Sequence, residues 1–89
     1  MPRPRRRRII NFEPDTTYFK PRGIPMRDLQ EVCIAPDELQ AIKLYDLDGL
    51  SQIEAAVSMG ISQPTFARII KQAHKKIAQG LIRGLAIRL

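Results

Sequence analysis

Ser51 stands three residues before Glu54, and Ser62 stands two before Pro64, with Gly60 between the pairs. No other feature restricts the chain as much. In a Ser-x-x-Glu box the hydroxyl accepts an orphan N–H of the first helical turn, while the glutamate reaches back to the backbone of the cap. A helix therefore begins at Gln52. Gly60 takes the left-handed conformation that stops a helix without strain. Ser62 caps the next helix, and Pro64 fits its first turn because the missing N–H has no partner there. A helix of eight residues, Gln52 to Met59, is thus followed by a tight corner and a second helix.

The second helix has the clearer pattern. Phe66, Ile69, Ile70, Ala73 and Ile77 recur at helical spacing and face inward, whereas Pro64, Arg68, Lys71 and Lys75 fall on the opposite side, where there is no acid. In the short helix, Ile53, Ala56 and Val57 are expected to point inward. Ala55 or Ala56 lets the two backbones approach, and Ile61 with Phe66 locks the second helix in place. Upstream, Pro36, Asp37 and Glu38 suit the first turn of another helix. Its apolar stripe is Leu39, Ile42, Leu44 and Leu47, and Asp46, Asp48 and Gly49 end it. Ala35 stands where a capping Ser, Thr or Asp would be usual. The expected core is Leu39, Ile42, Val57, Phe66, Ile69, Ile70, Ala73 and Ile77.

Before Pro36, the prolines at 2, 4, 14, 21 and 25 forbid a long helix. Ile9, Ile10 and Phe12 read as a short strand, Val32 to Ile34 as another, and Met26 to Glu31 as a single helical turn between them. Past Gly80 the helical period gives way to alternation, which suits a terminal strand that pairs with the N-terminal strand or with another subunit. The expected architecture is mainly α. Residues 1–35 form a basic N-terminal arm and extended loop segment, residues 36–84 a three-helix helix-turn-helix domain with the motif at about 51–72, and residues 85–89 a tail that is a candidate strand.

Eighty-nine residues suffice for one small core. The formal net charge of +6 favours polyanionic partners, and its distribution is informative. Residues 1–8 carry five arginines and no acid, residues 9–54 carry all nine acids against four bases, and residues 55–89 carry six bases and no acid. Two wholly basic ends around an acidic middle suggest that both ends face one anion. Cys33 is alone and cannot form an intrachain disulfide, and no apolar run approaches the roughly 20 residues that span a bilayer. The N-terminal arginines lack an apolar segment behind them, so the expected location is the cytoplasm.

A tight corner leading into a helix that is apolar inward and basic outward is what reading a major groove requires. At this point a resemblance adds to the residues. Asp48-Gly49-Leu50-Ser51-Gln52-Ile53-Glu54-Ala55-Ala56, with Met59-Gly60-Ile61-Ser62-Gln63-Pro64-Thr65-Phe66-Ala67-Arg68, resembles the region-four helix-turn-helix of sigma factors, over about residues 36 to 78. Met1-Pro2-Arg3-Pro4, Phe19-Lys20-Pro21-Arg22-Gly23-Ile24-Pro25 and Asp37-Glu38-Leu39-Gln40-Ala41-Ile42 are similar to a narrower group, the small uncharacterised prokaryotic proteins of the domain-of-unknown-function-134 family. That resemblance covers nearly the whole chain and implies a DNA-binding protein.

The candidate base contacts are Gln63, Thr65, Ala67, Arg68 and Lys71. Arg68 suits guanine O6 and N7, Gln63 suits adenine, and the methyls of Thr65 and Ala67 suit thymine. The candidate phosphate contacts are Ser51, Ser62, Lys75, Lys76 and the arm arginines Arg3, Arg5, Arg6, Arg7 and Arg8, which track the backbone or enter a minor groove. The expected function is sequence-preferring binding of double-stranded DNA by a transcription regulator, and the apolar tail Leu81 to Leu89 offers a homodimer interface. Two rivals remain: a sigma-like protein-interaction module that contacts RNA polymerase or another regulator, and RNA binding. No cofactor, metal or catalytic group is expected. Asp46-Leu47-Asp48-Gly49 lacks the spacing of a calcium loop, His74 reads as a packed or surface imidazole, and Cys33 as a small buried hydrophobe.

Overall fold

The computed structural model describes residues 14, 17–25 and 29–89. The expected strand at Ile9, Ile10 and Phe12 and the arm arginines lie outside the described residues. In chain order the elements are β1 (Tyr18–Phe19), β2 (Glu31–Cys33), α1 (Pro36–Ile42), a π turn (Lys43–Leu47), α2 (Gln52–Met59), α3 (Gln63–Arg83) and β3 (Ala86–Arg88). Three helices therefore pack beside a small three-stranded sheet.

The sheet order is β1-β3-β2. β3 runs antiparallel to β1, with Phe19 opposite Ile87, and parallel to β2, with Val32 opposite Ile87. A parallel pair needs a crossover, and here all three helices supply it. The C-terminal tail is thus the central strand, tied into its own chain, while Leu81 and Ile82 stay exposed on α3. Glu31 fastens the sheet by accepting from Tyr18 Oη at 3.1 Å and from Arg88 Nε at 3.1 Å. Because Glu31 lies in β2, the helical turn expected at 26–31 does not reach it. Cys33 is exposed rather than buried, since strand alternation turns Val32 toward α3 and Cys33 away.

α1 has Ala35 as its cap, and an alanine offers no acceptor, so only the return half of a capping box forms. Glu38 Oε1 accepts from Ala35 N at 2.8 Å and also from Lys76 Nζ at 2.7 Å. This buried carboxylate consequently ties the start of α1 to the middle of α3. Past Ile42 the helix widens into the π turn, with Asp48 N donating to Lys43 O at 2.9 Å. That extra width separates two leucines expected on one stripe: Leu44 is buried, whereas Leu47 is 77% exposed.

The core gathers Ala41, Leu44, Ala55, Ala56, Met59, Phe66, Ile69 and Ile70, with Ile42, Tyr45, Leu50 and Ile61 half-buried against it. Leu39 and Ile77 are also half-buried, and Ala73 is buried. Two assignments are corrected: Val57 is 73% exposed and Ile53 is 67% exposed. Eight residues are too short a window to fix the orientation of a helix from its pattern, and contact with α3 selects the side bearing Ala55, Ala56 and Met59 instead. The other correction is the end of α3, which passes through Gly80 and stops at Gly84, a residue in the left-handed conformation with φ 68°. Gly80 is a contact point, since a Cβ there would lie 2.8 Å from Ile87 Cγ1. Among the described residues no helix is long and apolar enough to cross a membrane.

Candidate nucleic-acid interface

The corner between α2 and α3 is built as the capping residues require. Ser51 Oγ accepts from Glu54 N at 3.1 Å, and Glu54 Oε1 accepts from Ser51 N at 3.0 Å. The Ser51 backbone N–H first, and then the Ser51 hydroxyl, stabilise the ionised Glu54 carboxyl and hold it below its ordinary pKa. Gly60 is left-handed at φ 69°, and its N–H donates to Val57 O at 3.0 Å. Ser62 Oγ then accepts from Thr65 N at 3.3 Å and donates to Thr65 Oγ1 at 2.8 Å. Both serines are therefore engaged as caps.

With Phe66, Ile69, Ile70 and Ala73 buried, helical geometry turns Arg68, Lys71 and Lys75 outward, and all three are exposed. Arg68, Lys71, Gln72, His74 and Lys75 line a shallow open depression on this side. None of the three cations pairs with a carboxylate among the described residues. Arg68 Nη2 donates to Thr65 Oγ1 at 3.4 Å, which draws the guanidinium toward the start of α3. Ala67 and Thr65 are half-buried beside this row, and Gln63 is exposed at its beginning.

Not every expected contact joins the row. Lys76 is half-buried and committed to Glu38, on the side of α3 that meets α1. His74 is exposed and pairs with Asp46, Nε2 to Oδ2 at 2.6 Å, while Lys43 pairs with Asp48 at 2.8 Å. Asp46 and Asp48 are thus engaged by His74 and Lys43. One residue escaped the sequence reasoning: Gln52, whose Oε1 accepts from Gln63 Nε2 at 2.6 Å. The available signal was a glutamine at the first position of each of two helices that share a tight corner.

The chain matches, over residues 1–89, the family described as "Protein of unknown function DUF134". Similar proteins named UPF0251 protein occur in Desulfosudis oleivorans and Moorella thermoacetica, each 49% identical, and in Caldanaerobacter subterraneus subsp. tengcongensis, 53% identical. Each comparison covers 100% of this chain, which spans 64%, 60% and 75% of those relatives respectively, less than two thirds of the first two. No solved structure matches it significantly. The match across the whole chain and the identity to these relatives make it a member of the DUF134 family, the UPF0251 proteins.

Proposed function

We propose that α2, its corner and α3 form a helix-turn-helix similar to sigma region four, with α3 in the major groove, and that the protein is a sequence-preferring transcription regulator acting on duplex DNA. The observation that carries this reading is the open row Gln63, Arg68, Lys71 and Lys75, which starts at the corner and whose cations form no ion pair with a carboxylate among the described residues. A row of that kind matches a groove: its first residues meet base edges and its later cations meet phosphate. Arg68 suits the two acceptors of guanine, and Lys71 and Lys75 add charge that releases counterions on binding. The arm arginines Arg3, Arg5, Arg6, Arg7 and Arg8 add positive charge for phosphate or minor-groove contacts.

The test is a titration of duplex DNA, single-stranded DNA and RNA at several salt concentrations. Duplex binding is expected to weaken steeply with salt. Arg68→Ala is expected to cost roughly 1 to 3 kcal/mol at one base position and relax the preference there, whereas Lys75→Ala weakens all sequences alike and lowers the salt slope by about one. Equal affinity for all three nucleic acids would sink the duplex reading.

A second reading has its own observation. Ile53 and Val57, four residues apart on α2, are exposed on one face of that helix, which carries no cation, unlike the row on α3. Such a patch suits contact with RNA polymerase or another regulator. Purified polymerase retaining the protein, and releasing the Val57→Asp variant without loss of DNA affinity, would support that role.

A further inference from the structure

Gln52 opens α2 and Gln63 opens α3, and the corner at Gly60 sets their carboxamides against each other, Gln63 Nε2 donating to Gln52 Oε1 at 2.6 Å. We propose that Gln52 is a positioning residue that clamps the Gln63 carboxamide, so that Gln63 reads an adenine in the major groove. This inference rests on the duplex-reading function proposed above.

A glutamine carboxamide has two N–H donors and one acceptor oxygen. Once Gln63 gives one N–H to Gln52, it keeps one donor and one acceptor. Adenine presents the complement in the major groove, an acceptor at N7 beside a donor at N6. Guanine presents two acceptors at N7 and O6, so the Gln63 oxygen would face a like partner, and thymine offers only O4 and a methyl group. The clamp also fixes which end of the carboxamide is which, because turning it over would set two oxygens against each other while Gln52 presents its own. Gln52 Nε2 has no acceptor among the described residues. It is left to donate to a phosphate, which would couple reading the base to seating the backbone.

Clamping has a calculable effect. An unheld glutamine must be ordered when it binds, at a cost that corresponds to a loss of between about twofold and tenfold in affinity. That loss applies to sites with the correct base, where the ordered carboxamide is needed, and hardly at all to other sites. The signature of the clamp is therefore reduced discrimination rather than reduced binding in general.

The experiment selects bound sequences from a random duplex pool with the full chain, then measures affinity for the selected site and for copies in which each selected adenine is replaced. Four proteins are compared: wild type, Gln63→Ala, Gln52→Met and Gln52→Glu, each checked by thermal melting. Wild type is expected to select an adenine that Gln63→Ala no longer prefers. Gln52→Met keeps the length of the side chain but removes the acceptor, and its adenine preference is expected to fall by about twofold to tenfold. Gln52→Glu can only accept, so it is expected to keep the adenine preference while binding every sequence more weakly, because it adds a negative charge near phosphate. Full adenine preference in Gln52→Met, equal loss in Gln52→Glu, or an adenine preference independent of Gln63 would overturn the clamp and leave the duplex reading standing. A wild-type protein that binds no duplex at low salt would overturn both.

Discussion

α2 and α3 adjoin in the chain and pack on each other, yet they sort their side chains by opposite rules. α3 buries its large apolar residues, Phe66, Ile69 and Ile70, and presents cations to the outside. α2 buries Ala55, Ala56 and Met59 and leaves Ile53 and Val57 exposed. The difference lies in how closely the backbones meet. A corner of only Gly60, Ile61 and Ser62 holds the start of α3 against α2, so along the middle of α2 side-chain size decides what can face inward, and Met59 brings bulk only at its end. α3 thus supplies most of the bulk of the core and the alanines of α2 leave room for it, with Met59 adding bulk at the end of α2.

The largest effect should come from removing the bulk. Phe66 is fully buried, and its ring lies 6.2 Å from that of Tyr45. Phe66→Ala is expected to destabilise the fold by about 3 to 5 kcal/mol, read from the denaturant midpoint. An effect under about 1 kcal/mol, the size typical of ordinary substitutions, would mean that α3 does not supply the centre of the core.

Filling the room should come next. Ala55 has no accessible surface, and Ala55→Leu inserts three carbons into the filled core that α2 shares with α3. A loss of about 1 to 3 kcal/mol is expected, from the same measurement. If this variant were as stable as wild type, the contact would be loose and the size rule would fail.

The same rule operates at the far end of α3, where Gly80 meets Ile87 of the central strand. Gly80→Ala gains about 1 kcal/mol of helix propensity but crowds Ile87, so a net loss of about 1 kcal/mol is expected. In an Ile87→Ala background the cost of Gly80→Ala should shrink, which a double-mutant cycle would register. Unchanged cost in that background would place the strain elsewhere.

These contacts also explain what could be read from the chain and what could not. The capping serines, Gly60 and the inward face of α3 were legible because each depends on neighbours within one or two helical turns. The cationic row was legible for the same reason. The rotation of α2 was not, since Ile53 and Val57 look more apolar than Ala55, and only the closeness of α3 makes the alanines the better fit. Gly80 read as a helix stop because its reason for being glycine is Ile87, seven residues on and in another element. The π turn and the Gln52 to Gln63 hydrogen bond likewise depend on tertiary packing, and neither leaves a periodic trace.

A smaller effect concerns the cap that sets where α2 begins. Ser51→Ala removes an acceptor from Glu54 N and is expected to cost about 1 kcal/mol near neutral pH. The Glu54 half has a pH signature whose sign follows from its lowered pKa. A carboxyl that ionises more readily in the folded state stabilises the fold above its ordinary value of 4.5, and that contribution disappears as pH falls through the lowered folded value. The stability difference between wild type and Glu54→Gln should therefore vanish in acid. A difference that persisted there would point to packing rather than to the ionised carboxylate.

The smallest expected effect is the one that would most sharpen the comparison between the two helices. Val57→Ser replaces an apolar side chain with a smaller polar one on the exposed face of α2. If that face meets only water, stability should change by no more than about 0.5 kcal/mol, and the unfolding slope should be unchanged because the same surface is exposed on unfolding. The measurement is worth making at two protein concentrations. A loss that appears only at the higher concentration would mean that copies of the chain cover Val57 there, and a loss at both would mean that part of this chain does. In either case the face would belong to an interface, and the exposed apolar row on α2 would have a partner to match the one proposed for the cations of α3.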